Sequence, residues 1–245
     1  MPLHIERHDR VALLTLDDPD RKNALSLPLV DEIIAAFDDA ESDDSIGAVV
    51  ITGAGTVFCA GADTSALAAF SSADATPEER AGVSKVYDGF LRVLRSTLPT
   101  IAAVNGPAVG AGFNLALACD LRLAGENARF DAKFLRIGLH PGGGHLWLLE
   151  RAVGPQAAAA ITLFSNPLKA EAAVTRGLAW SSHTNESLVT DAIAMAQRAA
   201  EAPKALSMKV KSSLQMVPWQ PNYEAALATE LERQMWSFTQ GWFGK

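Results

Sequence analysis

Two short stretches of small residues carry the chemistry this chain can offer. Asn105-Gly106-Pro107-Ala108-Val109-Gly110-Ala111-Gly112 lies within an uncharged run from Thr100 to Cys119 that ends against Asp120. It reads as a buried strand, a tight Asn-Gly-Pro turn and a glycine-rich lead into an apolar helix. The first turn of a helix leaves backbone N–H groups without intrahelical partners. Such a turn can therefore hold a negative oxygen, on a phosphate or on a carbonyl that becomes an oxyanion. Phe58-Cys59-Ala60-Gly61-Ala62-Asp63 is the second stretch, again behind a buried apolar run and again built from side chains small enough for a ligand to approach the main chain. Two amides converging on one oxygen make an oxyanion hole, each donor worth about 3–4 kcal/mol of transition-state stabilisation. Either stretch alone is an ordinary strand-to-helix turn.

Other chemistries fail on residue identity. No serine sits in G-x-S-x-G, so a nucleophile elbow is absent. No GxxxxGK[ST] occurs, and Gly110-Ala111-Gly112-Phe113-Asn114-Leu115 lacks the third glycine of a dinucleotide fingerprint. His140 and His145 flank a glycine loop without an HExxH helix or cysteine partners, which leaves no metal site to expect.

The elements that must position these stretches follow from the apolar patterning. Val11–Leu16 and Ala48–Thr52 read as strands, the second fully buried, and Ile101–Val104 and Leu121–Leu123 add two more. Ser26 precedes a helix with Pro28 in its first turn and a stripe of Leu29, Ile33 and Phe37, flanked by Val30 and Ile34. The polar stretch Ser71–Glu79 reads as a loop able to cover a site. His140-Pro141-Gly142-Gly143-Gly144-His145 leads into a helix over Leu146–Val153, and from Pro155 onward the chain is mostly helical. Leu227, Leu231, Met235 and Phe238 form a final apolar stripe, for docking on the same core or meeting another subunit.

At 245 residues, 49% apolar, 20% charged and a net charge of −7, the chain fits a soluble enzyme and not a nucleic-acid binder. Arg21-Lys22 and the series Lys204, Lys209, Lys211 are the basic groups that could meet a small anion or simply form a solvated face. Two cysteines, Cys59 and Cys119, form no disulfide framework and fit a reducing, cytoplasmic setting. The N-terminus has no apolar signal region, and Asn-Gly-Pro breaks the one long apolar run into pieces too short to span a membrane.

Taken together, Pro19-x-x-x-Asn23-Ala24-Leu25, Phe58–Asp63, Asn105–Gly112 and Pro141-Gly142-Gly143-Gly144 resemble the crotonase (enoyl-CoA hydratase/isomerase) superfamily, in its order and spacing. The resemblance implies an α/β fold: a spiral of ββα units over residues 1–185 and a helical C-terminal trimerisation region over 186–245. It implies an acyl-coenzyme A thioester as ligand, with no cofactor beyond that coenzyme A, and a homotrimer or dimer of trimers. The thioester carbonyl would sit between the amides of Ala62 and Ala111. Arg21, Lys22, Ala24, Ala60, Asp63 and Thr64 match the coenzyme A-binding stretches, and Gly110, Phe134, Pro141 and Gly142 are the further substrate-binding candidates, Phe134 and Trp147 narrowing the acyl end.

The chain departs from that pattern where hydration would need it most. Hydratases of the family use two glutamates; the matching positions here are Asn114 and Phe134. Some isomerase members place an aspartate in the later glycine loop, where this chain has Gly142. An amide has no accessible proton equilibrium, and a phenyl ring can neither donate nor accept a proton. His140 is the titratable group chosen in their place, its ordinary alternative being a loop histidine bonded to backbone. Asp131 is expected at the surface or capping a turn, and His145 at the start of the next helix. The expectation is an enoyl-CoA hydratase/isomerase-like enzyme with non-standard acid–base residues. A non-catalytic acyl-CoA binder, or a hydrolase or decarboxylase, is the alternative.

Overall fold

The computed structural model describes the backbone of residues 2–63 and 76–244, and their side chains except those of 77–83. Thr64 and the 71–75 part of the polar stretch lie outside the described residues. The strands are β1 (Leu3–His8), β2 (Val11–Leu16), β3 (Ala48–Gly53), β4 (Thr100–Val104), β5 (Pro107–Val109), β6 (Leu121–Gly125), β7 (Arg129–Asp131), β8 (Leu168–Lys169) and β9 (Ser181–His183). The helices are α1 (Leu27–Ser42), α2 (Pro77–Leu94), α3 (Ala111–Ala118), α4 (His145–Thr162), α5 (Ala170–Thr175), α6 (Leu188–Ala200), α7 (Lys204–Met216) and α8 (Tyr223–Thr239).

Six strands form one sheet in the order β1-β2-β3-β4-β6-β9, and β5-β7-β8 form a second, smaller one. In the large sheet only β1 runs antiparallel to its neighbour; the rest pair in parallel, each step needing a crossover. Alternation along the strands divides the core in two. Leu14, Leu16, Val49, Ile51, Ala102 and Val104 face α1, α2 and α3. Val11, Leu13, Val50, Ile101, Ala103 and Leu123 face Leu188, Ala192, Ala196 and Ala200 of α6. Both faces are thus covered, which is why β3 and β4 read as unbroken apolar runs.

The expected strands and the Ser26-capped helix are all present; the Ser26 hydroxyl accepts from the Leu29 amide. Five strands were not read from sequence: β1, β5, β7, β8 and β9. The helix expected at Leu146 begins at His145 and bends at Gly154-Pro155, where the backbone leaves helical geometry. Within 186–245, α6 belongs to the second face of the large sheet. On α8, Leu227, Leu231, Met235 and Phe238 stay about half exposed, so this stripe does not dock on the chain's own core.

The basic series is largely committed to internal partners. Lys204 donates to the carbonyls of Ala40, Glu41 and Asp43, satisfying the C-terminal end of α1. Lys211 is buried against Asp120 and the Leu98 carbonyl, each at 2.7 Å. Lys209 lies over the Trp236 ring.

Candidate active site

The two small-residue stretches come together in the smaller layer. Cys59 and Ala108 form a parallel bridge, with Cys59 N–H donating to Pro107 and Val109 N–H donating to Cys59. On the other side Ala60 N–H donates to the Lys22 carbonyl, and Leu25 bridges Ala62. Residues 22–25, 59–63 and 107–109 therefore lie side by side.

Asn23 fixes the first of these. Fully buried, it accepts from the Asp18 amide and donates to the carbonyls of Ala54 and Val57 at 3.0 and 2.7 Å. Asn23→Ala strands all three backbone groups, and the expected loss is about 2–4 kcal/mol in urea unfolding. A loss under 1 kcal/mol would show that other groups hold the segment.

The direction of the two amides follows from peptide planarity. The Gly61 carbonyl accepts from Leu25 N–H at 2.8 Å, so the trans N–H of Ala62 points the opposite way, toward β5. Gly61 makes this possible at φ 102°, in the left-handed region. The Gly110 carbonyl accepts from Asn114 N–H inside α3, so Ala111 N–H points out of the helix start. Among the described residues neither amide has a partner. The two stretches also touch: a Cβ placed on Gly61 would lie 3.5 Å from the Ala111 nitrogen. The arrangement is a pair of free donors with the dipole of α3 behind one of them.

Around this pair, the groups able to move protons are mostly engaged. Asn114 is buried; its Nδ2 donates to the Gly142 carbonyl at 3.0 Å, and its Oδ1 lies 2.7 Å from His145 Nδ1. Because Oδ1 can only accept, His145 carries its proton on Nδ1. Asn114 is thus a clamp between α3, the glycine loop and α4. His145 is fully buried among Phe113 and Phe134, and burial pushes its pKa down to about 4. Its Nε2 has no hydrogen-bond partner among the described residues.

His145 carries a pH signature. Its folded pKa of about 4 lies below the unfolded 6.5, so between these values the unfolded chain binds the extra proton. Stability is whole above 6.5, falls by about 3 kcal/mol as pH drops to 4, then levels. Urea titrations across this window should show the slope, and His145→Phe should flatten it. An unchanged slope in the variant would assign it elsewhere.

His140 is exposed, with Nδ1 2.7 Å from the Pro141 carbonyl, the geometry of a backbone-bonded loop histidine. Phe134 is half-buried and packs edge-on against His145, with its ring beside Gly110. Asp131 corrects its expectation: it is buried, paired with Arg129 and Arg136, and its backbone carbonyl receives Gly110 N–H. Arg21 is exposed and paired with Asp18 at 2.7 Å and Asp63 at 3.8 Å, beside Lys22 and Ala24. Burial pushes the thiols of Cys59 and Cys119 up to about 12, which leaves both inert as nucleophiles.

Sequence reading gave His145 and Asp131 no buried role, since neither lies in an apolar periodic run. It passed over α2 and its Tyr87 altogether. The stripe Val86, Phe90, Val93 was the signal available there.

The layered α/β fold thus brings two unpaired amides, one of them at a helix start, onto adjoining segments. The family model for enoyl-CoA hydratase/isomerase matches residues 6–240, and the chain belongs to that family. A Mycobacterium tuberculosis relative named as the probable enoyl-CoA hydratase EchA14 is 49% identical over 212 residues, 86% of this chain and 80% of the relative. The 1,2-epoxyphenylacetyl-CoA isomerase of Escherichia coli K12 is 35% identical over 201 residues, 82% of this chain and 76% of that one. A Thermobifida fusca structure described as an enoyl-CoA hydratase in complex with acetoacetyl-CoA superposes with a TM-score of 0.86 at 26% identity, covering 98% of this chain and 95% of the other.

Proposed function

We propose that this chain binds an acyl-coenzyme A thioester and stabilises its enolate between the amides of Ala62 and Ala111. The placement of two unpartnered N–H groups on adjoining segments is the observation that carries this reading. Acetoacetyl-CoA in the Thermobifida fusca neighbour supports the ligand class. Arg21, Lys22, Ala24, Ala60, Asp63 and Thr64 would hold the coenzyme A, and Gly110, Phe134, Pro141 and Gly142 the acyl end. No cofactor beyond the coenzyme A itself is invoked.

Within the family, proton transfer on the acyl chain fits this chain better than addition of water. Water addition needs a group to deprotonate the water, yet Asn114 is clamped and Phe134 is apolar. Double-bond migration needs only an enolate and one proton carrier. The half-exposed stripe of α8 supports assembly as a homotrimer or dimer of trimers, and the two thiols support a cytoplasmic setting.

A panel of 2-enoyl, 3-enoyl, 3-hydroxyacyl and malonyl thioesters tests the reading beside calorimetric binding. Migration in the 3-enoyl thioester should outrun hydration of crotonyl-CoA. Tight binding with turnover of none of them would establish the non-catalytic alternative, which the clamped Asn114 also permits.

A further inference from the structure

The loop Pro141–Gly144 packs against two aromatic side chains of α2. Tyr87 and Phe90 lie one turn apart on α2, with ring centroids 5.6 Å apart, and both press on the glycines. A Cβ built on Gly142 would stand 2.3 Å from the Tyr87 hydroxyl, and one on Gly143 would stand 2.4 Å from Phe90 Cζ and 3.1 Å from Asn114 Nδ2. The Tyr87 hydroxyl therefore fills the space that a side chain at 142 would take. The Gly142 carbonyl is tied to Asn114, which lies one helical turn from Ala111.

The hydroxyl is also uncommitted. Asn114 spends its amide on Gly142 and His145, His145 spends Nδ1 on Asn114, and Phe90, Phe113 and Phe134 are apolar. Tyr87 is partly buried and has no hydrogen-bond partner among the described residues. His140, which precedes this loop, is exposed.

We propose that Tyr87 is a catalytic residue, the acid and base that exchanges a proton with the acyl carbon of the bound thioester. The proposal rests on the acyl-CoA reading above. In the protonating direction the Tyr87 O–H bond breaks as a C–H bond forms at the enolate carbon. The enolate electron pair becomes that bond, the thioester carbonyl re-forms, and the phenolate left behind recovers a proton from solvent. In the reverse direction the phenolate removes the proton while Ala62 and Ala111 hold the enolate oxygen. Gly142 supplies the room: any larger residue there would displace the hydroxyl.

The test is exchange of the α-hydrogens of butyryl-CoA in deuterated water, followed by mass spectrometry, beside calorimetric binding of the same thioester. Tyr87→Phe keeps the ring and its contacts and removes only the hydroxyl. Exchange is expected to fall by about 10²-fold or more, with affinity and Tm unchanged, and the control Tyr223→Phe, at an exposed position on α8, is expected to stay within about twofold of wild type. A loss under about tenfold in Tyr87→Phe, or a loss matched by lost affinity, overturns the assignment. So does collapse of exchange in His140→Ala with Tyr87→Phe unaffected. If the wild type binds butyryl-CoA without exchanging it, Tyr87 has no such role and the binding reading stands. If the wild type does not bind it, the acyl-CoA reading itself falls.

Discussion

Replacing Ala111 with proline is expected to reduce acyl-CoA turnover by about 10²–10³-fold, the effect of losing one oxyanion donor. Ala111 is the first residue of α3, the one helical position where proline's missing N–H and fixed φ cost least. Gly110 before it carries no Cβ to clash with the new ring. The substitution thus deletes the amide while leaving the helix. Free coenzyme A, which has no thioester carbonyl, should bind within about twofold of wild type. Turnover within a factor of ten would mean that the oxygen is held elsewhere; loss of coenzyme A binding as well would mean a wider disturbance.

Gly112→Ala should act through the backbone frame. A Cβ on Gly112 would lie 2.2 Å from the Cys59 carbonyl oxygen and 2.7 Å from the Cys59 Cβ. Alanine gains about 1 kcal/mol of helix propensity, but the contact is with backbone that cannot rotate away. Cys59 carries the bridge to Ala108, so relief means separating the two halves of the hole. A net loss of about 2–3 kcal/mol is expected, seen as a lower Tm, together with loss of turnover. A stable variant with normal turnover would show that α3 and residues 59–62 need not lie this close.

Much of the frame was legible because it is written in main-chain chemistry. Small residues at 58–63 and 105–112, each behind an apolar strand, point to close backbone approach, and the two segments do bridge. The buried strands and the α1 stripe declared themselves through periodicity. The elements that were missed are held by context. β5, β7 and β8 have three, three and two residues, too short for any pattern, and exist because a neighbour pairs with them. Asp131 is buried because Arg129 and Arg136 neutralise it, which no local run reveals. His145 was placed at a helix start, correctly, yet its burial depends on Asn114 thirty-one residues away. Tyr87 owes its place to Gly142, a contact between α2 and a distant loop.

These points converge on the hole itself. Coenzyme A recognition, the clamp on Asn114 and the Tyr87 hydroxyl all gain meaning from a thioester oxygen held by two amides. The most direct measurement is a crystal structure of the chain with acetoacetyl-CoA. The account predicts the thioester oxygen within about 3.1 Å of both the Ala62 and Ala111 nitrogens. An oxygen bound elsewhere, or either amide taken by a protein group in that complex, would contradict it.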